Sequence, residues 1–225
     1  MKKIAFVIFV VSFAYLLFGR SLKKGDLYYQ FVKGIYYCEK GEYEKASSIF
    51  ENITQENPGI LTPRLELIRL YISTGNWNLA YEEGKNAYRL FPRSSQVAIL
   101  FGKTCLLLGR LDEAEDALKK GIEFSKEPNK NAYSLLIEVL FRRSKLEEVK
   151  KYSEKMTKLF PNSPIGFYYL GKFYAESKDI KRAEENFERA IKLSPYFLSP
   201  YKELGALYLN AGKTEKAIGI YEKLL

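Results

Sequence analysis

The 225-residue sequence contains no histidine, and this absence restricts the chemistry open to the protein. Histidine is the commonest general base, completes the usual serine and cysteine nucleophile arrangements, and is the commonest side-chain ligand of transition metals. The most frequent catalytic and metal-binding layouts are therefore excluded. We predict a protein that is not an enzyme and that carries no cofactor and no metal.

Cysteine is almost absent as well, since Cys38 and Cys105 are the two in the chain. They lie 67 positions apart, which excludes a CxxC redox pair and any metal-ligand spacing. We expect both side chains to behave as small buried hydrophobes.

A basic excess is present, because 36 lysines and arginines stand against 27 acidic residues, a formal charge of +9. Residues 1–26 contribute +4 of this charge. The densest later group of cations, within residues 142–151, is interrupted by Glu147 and Glu148 and is not interleaved with aromatic residues as a nucleic-acid-binding stripe would be. We therefore predict no nucleic-acid partner.

The first 26 residues differ in composition from the rest, because a charged start is followed by the apolar run Ile4–Phe18 and then by a basic cluster. As a helix the run would rise roughly 22 Å, less than the ~30 Å hydrocarbon core of a bilayer. A small-x-small pattern at Ser12–Ala14 could mark a cleavage site, but cutting there would expose four apolar residues. We predict an uncleaved signal anchor; a cleaved signal peptide and a buried first helix are the alternatives.

Cations flank the apolar run on both sides, so the positive-inside rule does not decide its orientation. Our working prediction is an inner-membrane protein whose remaining chain lies in the periplasm.

The remaining sequence repeats itself. Six copies are spaced by 34, 34, 35, 34 and 34 positions, and they begin at Leu27, Leu61, Ser95, Lys130, Pro164 and Leu198. Apolar residues within a copy keep a helical period, as Ala183, Phe187 and Ala190 do, and no segment alternates like a half-buried strand. We predict an all-α chain in which each copy is a pair of helices.

A few positions of the aligned copies explain how each copy folds into two packed helices. Position 15 is glycine in four copies, where a chain reversal needs positive φ, and position 32 is proline in four copies, which ends the second helix. Position 8 is small in four copies and position 11 is mostly large, which we interpret as a large-against-small helix contact. The fifth copy fits nearly every marker. The fourth fits least, with Ile137, Val149 and Ser153 at positions 8, 20 and 24, so its local helix packing is the least well predicted.

This pattern resembles the tetratricopeptide repeat family over residues 27–225, through glycine at position 8, tyrosine at 11, alanine at 20, an aromatic residue at 24 and proline at 32. The resemblance implies a right-handed α-solenoid, preceded here by one short hydrophobic helix within the targeting segment 1–26. The implied repeats are 27–60, 61–94, 95–129, 130–163, 164–197 and an incomplete 198–225. In such a stack Cys38 and Cys105 lie two repeats apart, too far for a disulfide.

The resemblance also implies that the first helix of each repeat lines a concave surface through positions 2, 5, 9, 12 and 13. At these positions we find cations in five repeats and aromatic residues that a solvated helix does not need. Aromatic and arginine side chains are over-represented at binding hot spots. We predict a groove for an extended or helical peptide with acidic and apolar side chains, formed by Tyr28, Phe31, Arg69, Lys103, Phe141, Arg142, Tyr168, Lys172 and Lys202. The same positions also include Ile35, Leu65, Ile99, Ser134 and Glu138.

One specialised binding mode of the family is not supported. Members that clamp a C-terminal carboxylate pair a lysine at position 5 with an asparagine at position 9. Here Lys202 occupies position 5 of the sixth repeat, but position 9 of that repeat is Ala206 and not asparagine.

The sequence stops at position 28 of the sixth repeat, where Ile218, Tyr221 and Leu225 would form an exposed stacking face. We expect either a longer protein or docking of this end on a partner or a second copy. The predicted function is a membrane-anchored scaffold that gathers protein or peptide partners, in envelope or secretion-complex assembly. The alternatives are the targeting and substrate-docking part of a longer protein with a catalytic or further repeat domain, and a structural spacer.

Overall fold

The computed structural model describes residues 22–223, and over this range the chain is helical without any strand. These residues form twelve helices: α1 Leu22–Glu39, α2 Tyr43–Glu56, α3 Leu61–Ser73, α4 Trp77–Leu90, α5 Ser95–Leu107, α6 Leu111–Glu123, α7 Lys130–Arg142, α8 Leu146–Leu159, α9 Pro164–Glu176, α10 Ile180–Leu193, α11 Leu198–Asn210 and α12 Thr214–Glu222. The prediction of an all-α chain is confirmed.

The predicted hydrophobic helix and targeting segment lie outside the described residues, so the division of the chain at residue 26 stays a prediction. Within residues 22–223, no helix combines the length and the hydropathy needed to cross a bilayer.

The chain divides into two compact units, one ending at Leu108 and one beginning at Gly109. The first unit contains the hairpins α1–α2 and α3–α4, followed by α5. The second begins with α6 and continues with the hairpins α7–α8, α9–α10 and α11–α12. In each unit a helix packs on the helices before and after it; α3 also touches α5, and α9 also touches α7 and α11. Contacts are thus local, as in a solenoid.

Residues with positive φ make the turns between the paired helices. Glycine has this role in four turns, with φ of 71 to 75° at Gly41, Gly75, Gly109 and Gly212. Ser144 and Lys178 take the same role in the fourth and fifth repeats, with φ of 56° and 59°. Because a Cβ disfavours this region by roughly 1 kcal/mol or more, these two turns are locally strained.

Helix contacts inside a hairpin depend on repeat positions 8 and 24. A Cβ added to Gly171 of α9 would lie 2.5 Å from the ring of Phe187 on α10, so the glycine is needed for the ring to fit. The same contact joins Gly34 to Phe50 and Gly205 to Tyr221. The glycine at position 8 therefore lies directly against the aromatic residue at position 24. The sequence had suggested the large residue at position 11 as its counterpart.

The fourth repeat has the opposite allocation of volume. Ile137 occupies position 8 and Ser153 position 24, and both are fully buried together with Val149. The hairpin that fits the sequence markers least is therefore as closed to solvent at these positions as the fifth.

Each later hairpin also docks on the helix before it, through positions 3, 7 and 10 of its first helix. Phe101 of α5 stacks on Tyr88 of α4 with ring centroids 5.2 Å apart, and a Cβ on Gly166 of α9 would lie 2.9 Å from Thr157 of α8. The residues at these positions in α3, α5, α7, α9 and α11 are all buried: Pro63, Leu67, Leu70, Val97, Phe101, Thr104, Ala132, Leu136, Val139, Gly166, Leu170, Phe173, Pro200, Leu204 and Leu207.

Neither cysteine forms a disulfide. Cys105 is buried as expected, whereas Cys38 is only half-buried. Burial and the nearby Glu66 carboxylate raise the pKa of the Cys38 thiol.

Candidate functional site

In the second unit, four aromatic rings from successive hairpins meet at one surface. Phe141 is the last residue but one of α7, Tyr168 and Tyr169 lie in α9, and Phe197 immediately precedes α11. The ring centroid of Tyr168 is 5.0 Å from that of Tyr169 and 5.1 Å from that of Phe197, and Phe141 is 5.9 Å from Tyr169. All four side chains are half-buried. We call these four residues the aromatic surface.

Lys172 of α9 is held above this surface. Its Nζ lies 4.2 Å from the ring centroid of Phe141, 5.7 Å from that of Tyr168 and 3.1 Å from Oε1 of Glu203 on α11. The Tyr168 hydroxyl donates to the same carboxylate oxygen at 3.3 Å. Burial, followed by the Glu203 carboxylate, raises the pKa of Tyr168 to about 12, so the phenol remains a neutral donor at pH 7. The ammonium, the ring and the carboxylate therefore fix one another.

The other two predicted cations of this unit differ in their pairing. Arg142 donates to Glu138, one turn earlier in α7, at 2.7 Å. Lys202 is exposed and forms no ion pair with any described residue. The surface therefore presents paired charges beside one unpaired lysine, and not the row of unpaired cations that the sequence suggested. Since the exposed pair of Arg142 with Glu138 is worth little, an incoming carboxylate can exchange with Glu138.

The predicted site residues of the first unit lie in different surroundings. Arg69 is exposed and ion-paired with Glu66 of the same helix, and Lys103 is partly exposed without an ion pair to a described residue. The ring of Phe31 is 5.8 Å from that of Phe50 and packs against the core. Tyr28 is half-buried, burial raises its pKa, and its hydroxyl is buried with no hydrogen-bond partner among the described residues. These four residues do not form an aromatic surface of the kind found in the second unit.

Two residues at predicted groove positions are core residues instead. Leu65 and Ile99 are 4% and 7% exposed. Leu65 packs with Ile68, Ala87 and Val97. The inward placement that the family resemblance implies for position 5 does not hold for Leu65 and Ile99, because both side chains are covered.

Three contributors to the site were not predicted from the sequence, namely Tyr169, Phe197 and Glu203. They occupy repeat positions 6, 34 and 6, outside the columns that the family resemblance marks as inward. The charge of Glu203, opposite to that of Lys172 in the preceding repeat, is the signal that could have found it. Among the described residues, no group of three or more acidic or cysteine side chains is placed to hold a metal ion.

Hairpins that repeat every 34 or 35 residues and pack locally define an α-helical repeat protein. Within this class, models of the tetratricopeptide repeat match residues 95–128, 167–197 and 201–225. The chain thus contains tetratricopeptide repeats, as its sequence pattern predicted.

Two curated proteins are similar to parts of this chain. Anaphase-promoting complex subunit 6 of Arabidopsis thaliana is 23% identical over 195 residues, which is 86% of this chain and 35% of that protein. A UDP-N-acetylglucosamine–peptide N-acetylglucosaminyltransferase of Giardia intestinalis is 35% identical over 71 residues, which is 32% of this chain and 5% of that protein. The chain therefore spans about a third of one relative and a small part of the other.

Solved structures share the fold. PilW, described as a widely conserved type IV pilus biogenesis factor, superposes with a TM-score of 0.75 at 15% identity, covering 88% of this chain and 91% of PilW. YrrB, described as a TPR protein with an unusual peptide-binding site, superposes with a TM-score of 0.62 at 19% identity, covering 77% and 89%. At these identities the likeness concerns the fold alone.

Proposed function

We propose that this protein is a scaffold without catalytic activity and that it binds protein or peptide partners on the aromatic surface of its second unit. The observation that carries the proposal is the half-exposed pair Phe141 and Tyr168 with the Lys172 ammonium held above them. Aromatic and cationic side chains that are fixed before binding lose little entropy when a ligand covers them. The peptide-binding site ascribed to YrrB supports this use of the fold.

The chemistry of the surface indicates the chemistry of the ligand. An apolar or aromatic ligand side chain would cover the rings of Phe141, Tyr168 and Tyr169. A ligand carboxylate would pair with Lys202, which has no ion pair among the described residues, or would displace Glu203 from Lys172. We therefore retain a peptide with acidic and apolar side chains as the proposed ligand.

The proposal is tested by selecting peptides from an acidic and apolar library on the immobilised full-length protein and measuring their Kd by calorimetry. Phe141→Ala and Tyr168→Ala should each weaken binding about tenfold, or roughly 1.4 kcal/mol, because each removes a ring from the contact surface. Tyr196→Ala is the matched control, since Tyr196 is 94% exposed and lies outside the aromatic surface. Unchanged affinity in both site variants would refute the proposal.

The first unit is tested separately. Arg69→Glu and Lys103→Glu reverse the two predicted cations of that unit. If the affinity of the selected peptides does not change, the first unit has no part in binding them.

The proposal includes attachment to a membrane through Ile4–Phe18, with the repeats in the periplasm and a role in envelope or secretion-complex assembly. Its support is the apolar run with its basic flanks, and the pilus biogenesis factor PilW offers an example of such a role on this fold. Carbonate extraction and flotation measure the attachment, and protease accessibility in spheroplasts measures the orientation. A chain that stays in the carbonate supernatant would contradict attachment.

A second candidate is the targeting and substrate-docking part of a longer protein. It is favoured by the two curated relatives, of which this chain spans 35% and 5%. The coding sequence beyond Leu225 tests it, because a stop codon there would rule it out.

A further inference from the structure

The first helix, α1, exposes the face that the other first helices bury. Its positions 3, 7 and 10 are Tyr29, Lys33 and Tyr36, and Lys40 continues the line one turn later. Steps of four and three residues place Tyr29, Lys33 and Tyr36 on one side of α1, and Lys40 follows in the turn directly after the helix ends at Glu39. Tyr29 is 60% exposed and Tyr36 is 52% exposed, whereas every residue at these three positions in the later repeats is buried. We call these four residues the α1 stripe.

The α1 stripe is poorly suited to another helix. A docked helix would cover Lys33, at a position where the later repeats have only leucine or phenylalanine. Covering its ammonium without a carboxylate is costly, and neither Lys33 nor Lys40 has an ion pair among the described residues. Of the acidic side chains near the stripe in sequence, Asp26 lies one turn before Tyr29 on the same side of α1, Glu39 lies beside the stripe, and Glu42 is ion-paired with Lys45.

The same residues are well suited to the headgroup layer of a membrane. Lys33 Nζ lies 6.0 Å from the Tyr29 ring and Lys40 Nζ lies 5.7 Å from the Tyr36 ring, so each cation is accompanied by an aromatic ring. Tyrosine prefers the membrane interface because its ring is apolar and its hydroxyl is polar, and lysine is attracted by anionic lipids.

The position of α1 in the chain agrees with contact between the stripe and a membrane surface. The described part of α1, from Leu22, follows closely in sequence the apolar run that ends at Phe18, and Tyr29 to Tyr36 extends for roughly 10 Å along the helix. We infer that the α1 stripe is an interfacial surface that lies on anionic lipid headgroups. The inference rests on the proposed membrane attachment through Ile4–Phe18.

A tryptophan in the stripe tests the inference in the full-length protein. Tyr36→Trp, made together with Trp77→Phe, is reconstituted in phosphatidylcholine vesicles with and without phosphatidylglycerol, each containing a lipid with a nitroxide on its headgroup. We expect the anionic vesicles to reduce the emission of this tryptophan roughly twofold. The native Trp77 of the unsubstituted protein, on α4, should keep its emission.

Charge reversal supplies the matched comparison. Lys33→Glu with Lys40→Glu should abolish the quenching, while Lys181→Glu with Lys192→Glu, two exposed positions on α10, should leave it intact. Circular dichroism checks that each variant is folded.

Flotation separates this inference from the proposed attachment. If the protein floats with the vesicles but the tryptophan at position 36 is not quenched, or is quenched equally after charge reversal of the stripe, the inference is overturned and attachment stands. If the protein does not float, both are overturned. If the tryptophan becomes shielded from solvent without vesicles as the protein concentration rises, a second copy covers the stripe and the lipid assignment is wrong.

Discussion

The α9–α10 and α7–α8 hairpins distribute side-chain volume between their helices in opposite ways. In α9–α10, Gly171 admits the ring of Phe187, which is 1% exposed. In α7–α8, the same two repeat positions are occupied by Ile137 and Ser153, both fully buried. A hairpin is therefore specified by the sum of the two volumes, and not by the residue at either position alone.

The largest effect should come from removing the ring at position 24 of the fifth repeat. Phe187→Ala should lower the free energy of unfolding by about 3–5 kcal/mol, because glycine at position 171 cannot fill the space left by the ring. Urea-induced unfolding measures this loss.

Ser153→Ala is the matched control at the same position of the fourth repeat. It should be nearly neutral, since the serine hydroxyl is buried and has no hydrogen-bond partner among the described residues. Equal losses of unfolding free energy in the two variants would show that the two hairpins do not differ in how they distribute side-chain volume.

The second prediction transfers the arrangement of one hairpin to the other. Gly171→Ile alone should cost about 1–3 kcal/mol through overpacking against Phe187. Combined with Phe187→Ser, it should recreate the volumes of α7–α8. The double variant should then be more stable than the sum of the single losses by about 0.5–3 kcal/mol in a double-mutant cycle. Strictly additive losses would show that the two positions do not share the same space.

The third prediction concerns an ion-pair cluster found beside the fourth hairpin. Glu115 of α6 accepts hydrogen bonds from Lys119 and Lys145, each at 2.7 Å, and pairs with Arg143 in the turn after α7. Burial by itself would raise the pKa of Glu115, but these cations outweigh it and hold the pKa below its ordinary value.

A depressed folded-state pKa stabilises the protein above the ordinary pKa of glutamate, and this stabilisation is lost as the pH falls through the folded-state value. Glu115→Gln should therefore cost about 1–3 kcal/mol at neutral pH, with the difference from the parent shrinking below about pH 4. Unfolding measured from pH 7 to pH 3 checks this. Asp179 precedes α10 and forms an exposed ion pair with Arg182 in the first turn of that helix. Asp179→Asn should therefore lower the free energy of unfolding less than Glu115→Gln does. An equal loss would argue against a special role of the Glu115 cluster.

The smallest effects should come from the turns. Ser144→Gly and Lys178→Gly should each stabilise the protein by up to about 1 kcal/mol, because both residues have positive φ and carry a Cβ. Gly75→Ala, in the turn between α3 and α4, should destabilise by a similar amount. Thermal unfolding measures all three, and destabilisation by the glycine substitutions would mean that the turn residues have contacts worth more than the strain.

The fold could be predicted from the sequence because its markers are local. Turn residues such as Gly41, helix-ending prolines such as Pro92 and the spacing of Ala183, Phe187 and Ala190 each act within one helix or one turn. The contact of Gly171 with Phe187 could not be assigned in the same way, since it joins two columns on different helices. Reading one column at a time left the packing of the fourth repeat the least well predicted, although Ile137 and Ser153 are both buried there.

The candidate site was predicted less completely than the fold. Phe141, Tyr168 and Lys172 were found because a family resemblance marks their columns as inward, and the structure brings these three together. Their role in binding stays a prediction. Glu203 was missed because its column is not one of those marked, and the burial of Leu65 depends on how closely neighbouring helices approach, which no single repeat encodes.

The complementary volumes at positions 8 and 24 also bear on how such a chain can diversify. Joining α7 to α10 would set Ile137 against Phe187 and overfill the hairpin, whereas joining α9 to α8 would leave Gly171 beside Ser153 with a void between them. A crossover within a repeat is therefore penalised, while a crossover in the loop between repeats keeps both partners together. Of these exchanges, that of a whole hairpin keeps positions 8 and 24 together, and the turn residue at position 15 travels with it.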